Sequence, residues 1–126
     1  MCILINIDKM VPIFYIFLGG GLGSLLRYLI SLLFMSFKLP IATLLANIVS
    51  CLILGFALIF LQKYNLCDNM RLFFVVGICG GLSTFSTFSY ETINLLKEGQ
   101  VNYAILNILF SVLLCFSVLY FLIKKL

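Results

Sequence analysis

Four long uncharged runs divide this chain. Residues 11–37 are interrupted only by Arg27, and residues 39–62, 72–90 and 101–123 carry no charge at all. A helix rises about 1.5 Å per residue, so roughly 20 apolar residues cross a hydrocarbon core about 30 Å thick. Each run is long enough. The pattern predicts four transmembrane helices over about 11–36, 40–62, 72–95 and 101–123, in a single domain spanning 1–126. Helices are the form lipid demands, because the bilayer interior has no partner for an unpaired backbone group. The polar connections are short (Lys38 to Pro40, Gln62 to Arg71, Lys97 to Gln100), so sequential helices pack as antiparallel neighbours. Pro40 suits the first turn of the second helix, where its missing N–H costs nothing.

The third run departs from the others. After Gly80 and Gly81 it turns from apolar to a string of hydroxyls, with Ser83, Thr84, Ser86, Thr87 and Ser89 interleaved with Phe85 and Phe88. Two adjacent glycines weaken a helix by about 1 kcal/mol each relative to alanine, which predicts a break near mid-membrane. Backbone groups freed there are tolerated where they line a cavity or bind something. A glycine pair is otherwise a packing notch, and the hydroxyl run argues against that alternative. Phe85 and Phe88 are three apart and share a helix face. With 13 phenylalanines in the chain, lipid-facing filler is the plainer reading of any one of them. The surrounding hydroxyls set these two apart.

Polar positions inside the other spans are few. The first holds Gly19, Gly20, Gly23 and Ser24 at four-residue spacing, which reads as close helix packing. It also holds Arg27, some ten residues from the helix end, too deep for simple snorkelling. An ionisable group inside a span is a functional candidate, and Glu91 is the acid available to pair with it. The second span has Thr43, Asn47 and Ser50. Asn47 lies about 10 Å beyond Pro40 by helical rise, and a lone buried Asn is commonly interhelical glue. Tyr103, Asn107 and Ser111 form one stripe on the fourth helix. Such a stripe either binds a neighbouring helix or lines a wet path, and the spacing does not choose.

Composition fixes the class. The chain is 64% hydrophobic and 10% charged, with mean hydropathy +1.28, whereas soluble domains are about a quarter charged. An integral membrane protein of the plasma membrane follows, with the lipid bilayer as its surroundings. Without histidine, paired carboxylates or a phosphate loop there is no tunable proton carrier beyond Glu91, so enzymatic chemistry is not expected. The five cysteines form no CxxC pair, and the three inside apolar runs are read as small hydrophobes. A net charge of +4 speaks to orientation rather than to nucleic acid. No basic n-region with a cleavage site opens the chain, and Met10 is an alternative start.

The glycine-rich segment ending at Arg27 and Tyr28, then Thr43 to Asn47, and above all GGLSTFSTFSYE at 80–91 resemble the small fluoride channels of the Fluc or CrcB family. The last string is the most specific. Tyr103 fits as well, while Ser83 stands where that family usually has Thr, and Asn107 where a smaller hydroxyl residue is common. The resemblance implies a fluoride-selective channel built as an inverted, antiparallel dimer with two pores. Phe85 and Phe88 would line the pores, with Asn47, Ser86, Thr87, Tyr103, Asn107 and Ser111 along the path. Carbonyls of Gly80 and Ser83 would hold a structural sodium ion, and the second subunit would be a copy of this chain or an oppositely oriented paralogue.

The physics is compatible with that picture. Fluoride is strongly hydrated, and a cationic pore would hold it too tightly to release it. Aromatic edges carry partial positive charge and, with hydroxyl and amide donors, replace water without trapping the ion. The alternative is a small proton-coupled multidrug-type transporter of similar length. Such transporters carry an acid in the first span, and residues 11–36 contain none. A non-conducting helper subunit would lack the broken helix and the polar stripe. Lys9, Lys63, Arg71, Lys124 and Lys125 fall on one side of a four-span chain, against Lys38 and Lys97 on the other. Basic residues favour the cytoplasm, whereas a break at mid-depth is where two inverted copies would meet.

Overall fold

The structure, a computed structural model, describes residues 7–36 and 40–124, with side chains from Met10 onward. The described residues are entirely helices and their connections: α1 (Ile7–Leu33), α2 (Ile41–Tyr64), a composite third span, and α6 (Val101–Ile123). The third span consists of α3 (Asp68–Arg71), a π-helical stretch (Leu72–Cys79), α4 (Gly80–Leu82) and α5 (Phe85–Lys97). Four stretches are long and apolar enough to cross a membrane: Met10–Leu33, Ile41–Tyr64, Asp68–Lys97 and Val101–Ile123. This is an all-α, multi-pass membrane protein. Lys38, Lys125 and Cys2 lie outside the described residues, as does the side chain of Lys9.

The boundaries shift slightly from the charge pattern. Helix α1 begins at Ile7, taking Asp8 and Lys9 into its first turn ahead of the apolar span, and ends at Leu33 rather than 36. Helix α2 runs to Tyr64 and closes on Asn65 in the left-handed conformation, its N–H returning to the Leu61 carbonyl. Asparagine is among the few residues that tolerate that cap.

The break in the third span is real but displaced. Gly80 is helical, with φ −65° and ψ −35°. The chain extends instead at Ser83 (φ −75°, ψ 150°) and Thr84 (φ −151°, ψ 116°). The reason lies in what stops each half. The Cys79 carbonyl accepts the Ser83 N–H at 2.9 Å, the Ser83 hydroxyl at 2.8 Å and the Ser50 hydroxyl at 3.0 Å. Ser83 thus folds back on the preceding turn, a competition with the ladder that hydroxyl residues offer. Thr84 then caps α5, its Oγ1 accepting the Thr87 N–H at 3.2 Å.

The glycines serve packing. A methyl on Gly19 would collide with the Phe73 carbonyl oxygen and meet the Gly77 Cα at 2.9 Å. One on Gly23 would collide with the Ile78 carbonyl oxygen, and one on Gly81 would stand 2.5 Å from the Gly20 oxygen. Backbone therefore lies on backbone between α1 and the first half of the third span, as small-residue rows permit. Contacts climb together along both elements, so the two run parallel. Gly80 is different: open space surrounds the position where its side chain would be. The core itself is thin, with Ala46, Ala57, Leu61, Cys79, Leu82, Leu95 and Ala104 buried.

Candidate functional site around the interrupted helix

The polar positions of α2 sit at i, i+4 and i+7, which brings them onto one face. That face meets the third span at three heights. Ser50 and Cys79 exchange bonds, the hydroxyl to the Cys79 carbonyl at 3.0 Å and the thiol to the Ser50 carbonyl at 3.6 Å. Asn47 Oδ1 accepts the Thr84 N–H at 2.9 Å. Thr43 Oγ1 donates to Glu91 Oε1 at 2.7 Å. Descending positions on α2 pair with ascending ones on the third span, so the two are antiparallel. Asn47 is interhelical glue after all, and what it glues is the broken backbone.

Two carbonyls lose their usual donors at this point. In an unbroken helix the Thr84 N–H would serve the Gly80 carbonyl and the Thr87 N–H that of Ser83. Asn47 takes the first and the Thr84 hydroxyl takes the second. Two main-chain oxygens are left free of those partners beside the open face at Gly80.

The hydroxyls divide by how much of their capacity is spent. Thr84 Oγ1 donates to Thr87 Oγ1 at 3.1 Å, and its one hydrogen is then used, so the 3.2 Å contact with Ser86 is donated by Ser86. Thr87 consequently keeps its own hydroxyl hydrogen to give. It lines a cavity of about 330 Å³ with Ser24, Arg27, Tyr28, Ser31, Ala42, Thr43 and Glu91. Arg27 and Glu91 face the same cavity but form no ion pair: Glu91 spends one oxygen on Thr43, and Oε2 is buried without a partner. The Arg27–Glu91 bridge that the sequence suggested is absent, although Oε2 remains open to a donor. Thr43 was noted as a polar position of the second span but was not among the expected site residues.

Other expected site residues are distributed more widely. Phe85 is 81% exposed and points out of its own chain, while Phe88 is half-buried, their ring centroids 5.9 Å apart and tilted by 41°. Tyr103 and Asn107 line a separate cavity of about 180 Å³ with Pro40, Ile41, Leu44, Leu106 and Phe110. The two cavities share no residue, so a single chain does not join the α6 stripe to Thr87 and Arg27. Ser111 is buried, its hydroxyl without a partner. Asn107 gives its amide to Thr92 at 3.0 Å, and Thr92 passes its own hydrogen to the Phe88 carbonyl at 2.8 Å. Thr84 and Thr92 were missed as site residues. A Thr directly before a hydroxyl-rich helix start signals a cap; nothing along the chain signals Thr92.

The family model described as "CrcB-like protein, Camphor Resistance (CrcB)" matches residues 14–122. Curated relatives named "Fluoride-specific ion channel FluC" are similar over most of their length. One from Flavobacterium psychrophilum is 45% identical across 83% of this chain and 88% of its own. One from Pyrococcus abyssi is 43% identical across 82% and 85%. A third, from Clostridium perfringens, is 43% identical across 82% and 84%.

Proposed function

This chain belongs to the CrcB-like family, and from that premise we propose that it is a fluoride channel, letting fluoride leave the cell down its electrochemical gradient. Beyond kinship, the observation that carries the reading is the break at Ser83 and Thr84, pinned to α2 by Asn47. A hydroxyl-lined interruption in mid-span is costly in lipid and suits a wet path. The path runs by Phe85, Phe88, Asn47, Ser86 and Thr87, with Tyr103, Asn107 and Ser111 along α6. Thr87 and Ser111 each have a hydroxyl hydrogen with no protein acceptor, which is what a desolvating fluoride needs. A passive pore suffices, because the membrane potential contributes about 2.3 kcal/mol per charge per 100 mV.

The pore is completed by a second copy in inverted orientation. Phe85 stands exposed in the single chain, and the polar cavity at Thr87 shares no residue with the apolar one at Tyr103 and Asn107, so a partner's surface supplies the missing wall. The free carbonyls of Gly80 and Ser83 fit a structural sodium ion, since hard cations prefer oxygen ligands. Sodium there would neutralise main-chain dipoles that two copies bring together. A structure of the purified protein is expected to show ion density between these oxygens; a break whose carbonyls are all hydrogen-bonded to protein would remove the site.

Fluoride release from liposomes carrying the purified protein, read with a fluoride electrode, tests the function. Release no faster than from empty liposomes sinks it. A small proton-coupled multidrug-type transporter would give no such release. Orientation has a native reporter in Cys67, which is exposed in the connection between α2 and α3. In a Cys2→Ser background, a membrane-impermeant maleimide added to intact cells is expected to label a substantial fraction of copies at Cys67. No labelling means one orientation only, and an oppositely oriented paralogue is then required.

A further inference from the structure

The fourth helix reaches the pore aromatics through one short chain of hydrogen bonds. Asn107 Nδ2 donates to Thr92 Oγ1 at 3.0 Å, and Thr92 Oγ1 donates to the Phe88 carbonyl at 2.8 Å. Asn107 is 8% exposed and Thr92 7%, so neither bond competes with lipid headgroups or bulk water. The direction is forced. An amide nitrogen only donates, so the Thr92 hydroxyl accepts from it and must spend its single hydrogen on the Phe88 carbonyl. Both atoms of that hydroxyl are committed, which holds the Thr92 side chain in one rotamer and fixes the angle and height of α5 against α6 one turn from Phe88.

From this we infer that Asn107, beside its place along the path, is a positioning residue for the Phe88 ring, acting through Thr92. The inference rests on the fluoride-channel reading for its functional consequence, but its geometric content stands apart from it. A serine hydroxyl sits one bond from Cβ, whereas the asparagine amide nitrogen sits two bonds out. The longer reach closes the gap to Thr92 across the α5–α6 seam. Phe88 is half-buried and in ring contact with Phe85 on the same helix, so a small rotation of α5 carries both rings together and changes where they stand relative to α2 and α6. A carboxylate at position 107 would reverse the polarity: it accepts only, and would draw the Thr92 hydrogen away from the Phe88 carbonyl.

The test has two readouts. With para-fluorophenylalanine placed at position 88, the fluorine NMR line of the intact protein is expected to move in Asn107→Asp, Asn107→Ser and Thr92→Val. It should stay put in Ser117→Ala, which alters an exposed hydroxyl on the same helix. An unmoved line in the first three overturns the positioning role whether or not the protein conducts. In liposomes, Asn107→Leu and Thr92→Val are each expected to slow fluoride release about tenfold, the effect of one buried hydrogen bond. The double variant should be no slower than either, because residues acting as one unit are not additive. Multiplying losses, or no loss in either single variant, overturns the relay while wild-type release still supports the channel. Wild-type protein that releases no fluoride fails the channel reading itself and leaves the NMR result to decide the relay.

Discussion

Phe85→Ile is expected to slow fluoride release at least tenfold while leaving the fold of the chain untouched. The two halves of that expectation have different sources. Phe85 is 81% exposed, so its ring buries little against its own chain, and an aliphatic side chain of similar bulk removes almost no packing. What isoleucine lacks is the quadrupole, whose positive edge attracts an anion. If each ring edge supplies about 1.4 kcal/mol at the narrowest point, each loss is about tenfold and the Phe85→Ile, Phe88→Ile pair about a hundredfold. Phe88 is half-buried, so its single variant should also melt somewhat earlier. Release from liposomes and thermal stability in detergent, measured on the same preparations, separate the two effects. Undiminished release in both single variants returns the rings to filler.

How much of this was legible along the chain depended on distance. Charge punctuation alone located four spans, because a charge in lipid is costly wherever it falls in the fold. Thr43, Asn47 and Ser50 stood out along the chain as the polar positions of the second span. That they would zip to Cys79, Thr84 and Glu91 was not visible, since those pairings span 29 to 48 residues. The break was foreseen and misplaced by three residues. Propensity put it at Gly80 and Gly81, but tertiary contact decided otherwise: Gly81 is needed as a notch for α1, and Ser83 and Thr84 have side chains that replace the ladder. The Arg27–Glu91 bridge did not form although both residues line one cavity: Glu91 Oε1 accepts from Thr43, and Oε2 is buried without a partner. The π-helical stretch had no signature in its residues, which are uniformly apolar. It lies against Gly19 and Gly23 of α1, and π-turns often mark functional regions.

Gly23→Ala should be the most damaging single methyl in the chain, and Gly55→Ala a much milder one. The difference follows from what each methyl would meet. At Gly23 the added carbon collides with the Ile78 carbonyl oxygen and stands 2.9 Å from the Leu82 backbone N–H nitrogen. Neither atom belongs to a side chain, so relief requires α1 to slide away from the third span just below the break. Overpacking of this kind costs about 1–3 kcal/mol, offset by at most about 1 kcal/mol from the better helix propensity of alanine. At Gly55 the neighbour is the Leu122 side chain, with Cδ1 at 2.5 Å and Cβ at 2.9 Å. A leucine rotamer change clears Cδ1 but leaves Cβ, which is fixed to the backbone, so α6 must give by a few tenths of an ångström, a smaller shift than the backbone collision at Gly23 demands. Midpoints of heat-induced loss of folded protein, followed by size-exclusion in detergent, should fall clearly for Gly23→Ala and little for Gly55→Ala. Because Gly23 holds α1 against Leu82, the residue before the extended Ser83 and Thr84, the same variant should also slow fluoride release from the protein that remains folded. Equal midpoints for the two variants would mean that backbone contact between α1 and the third span does not set the geometry of the break.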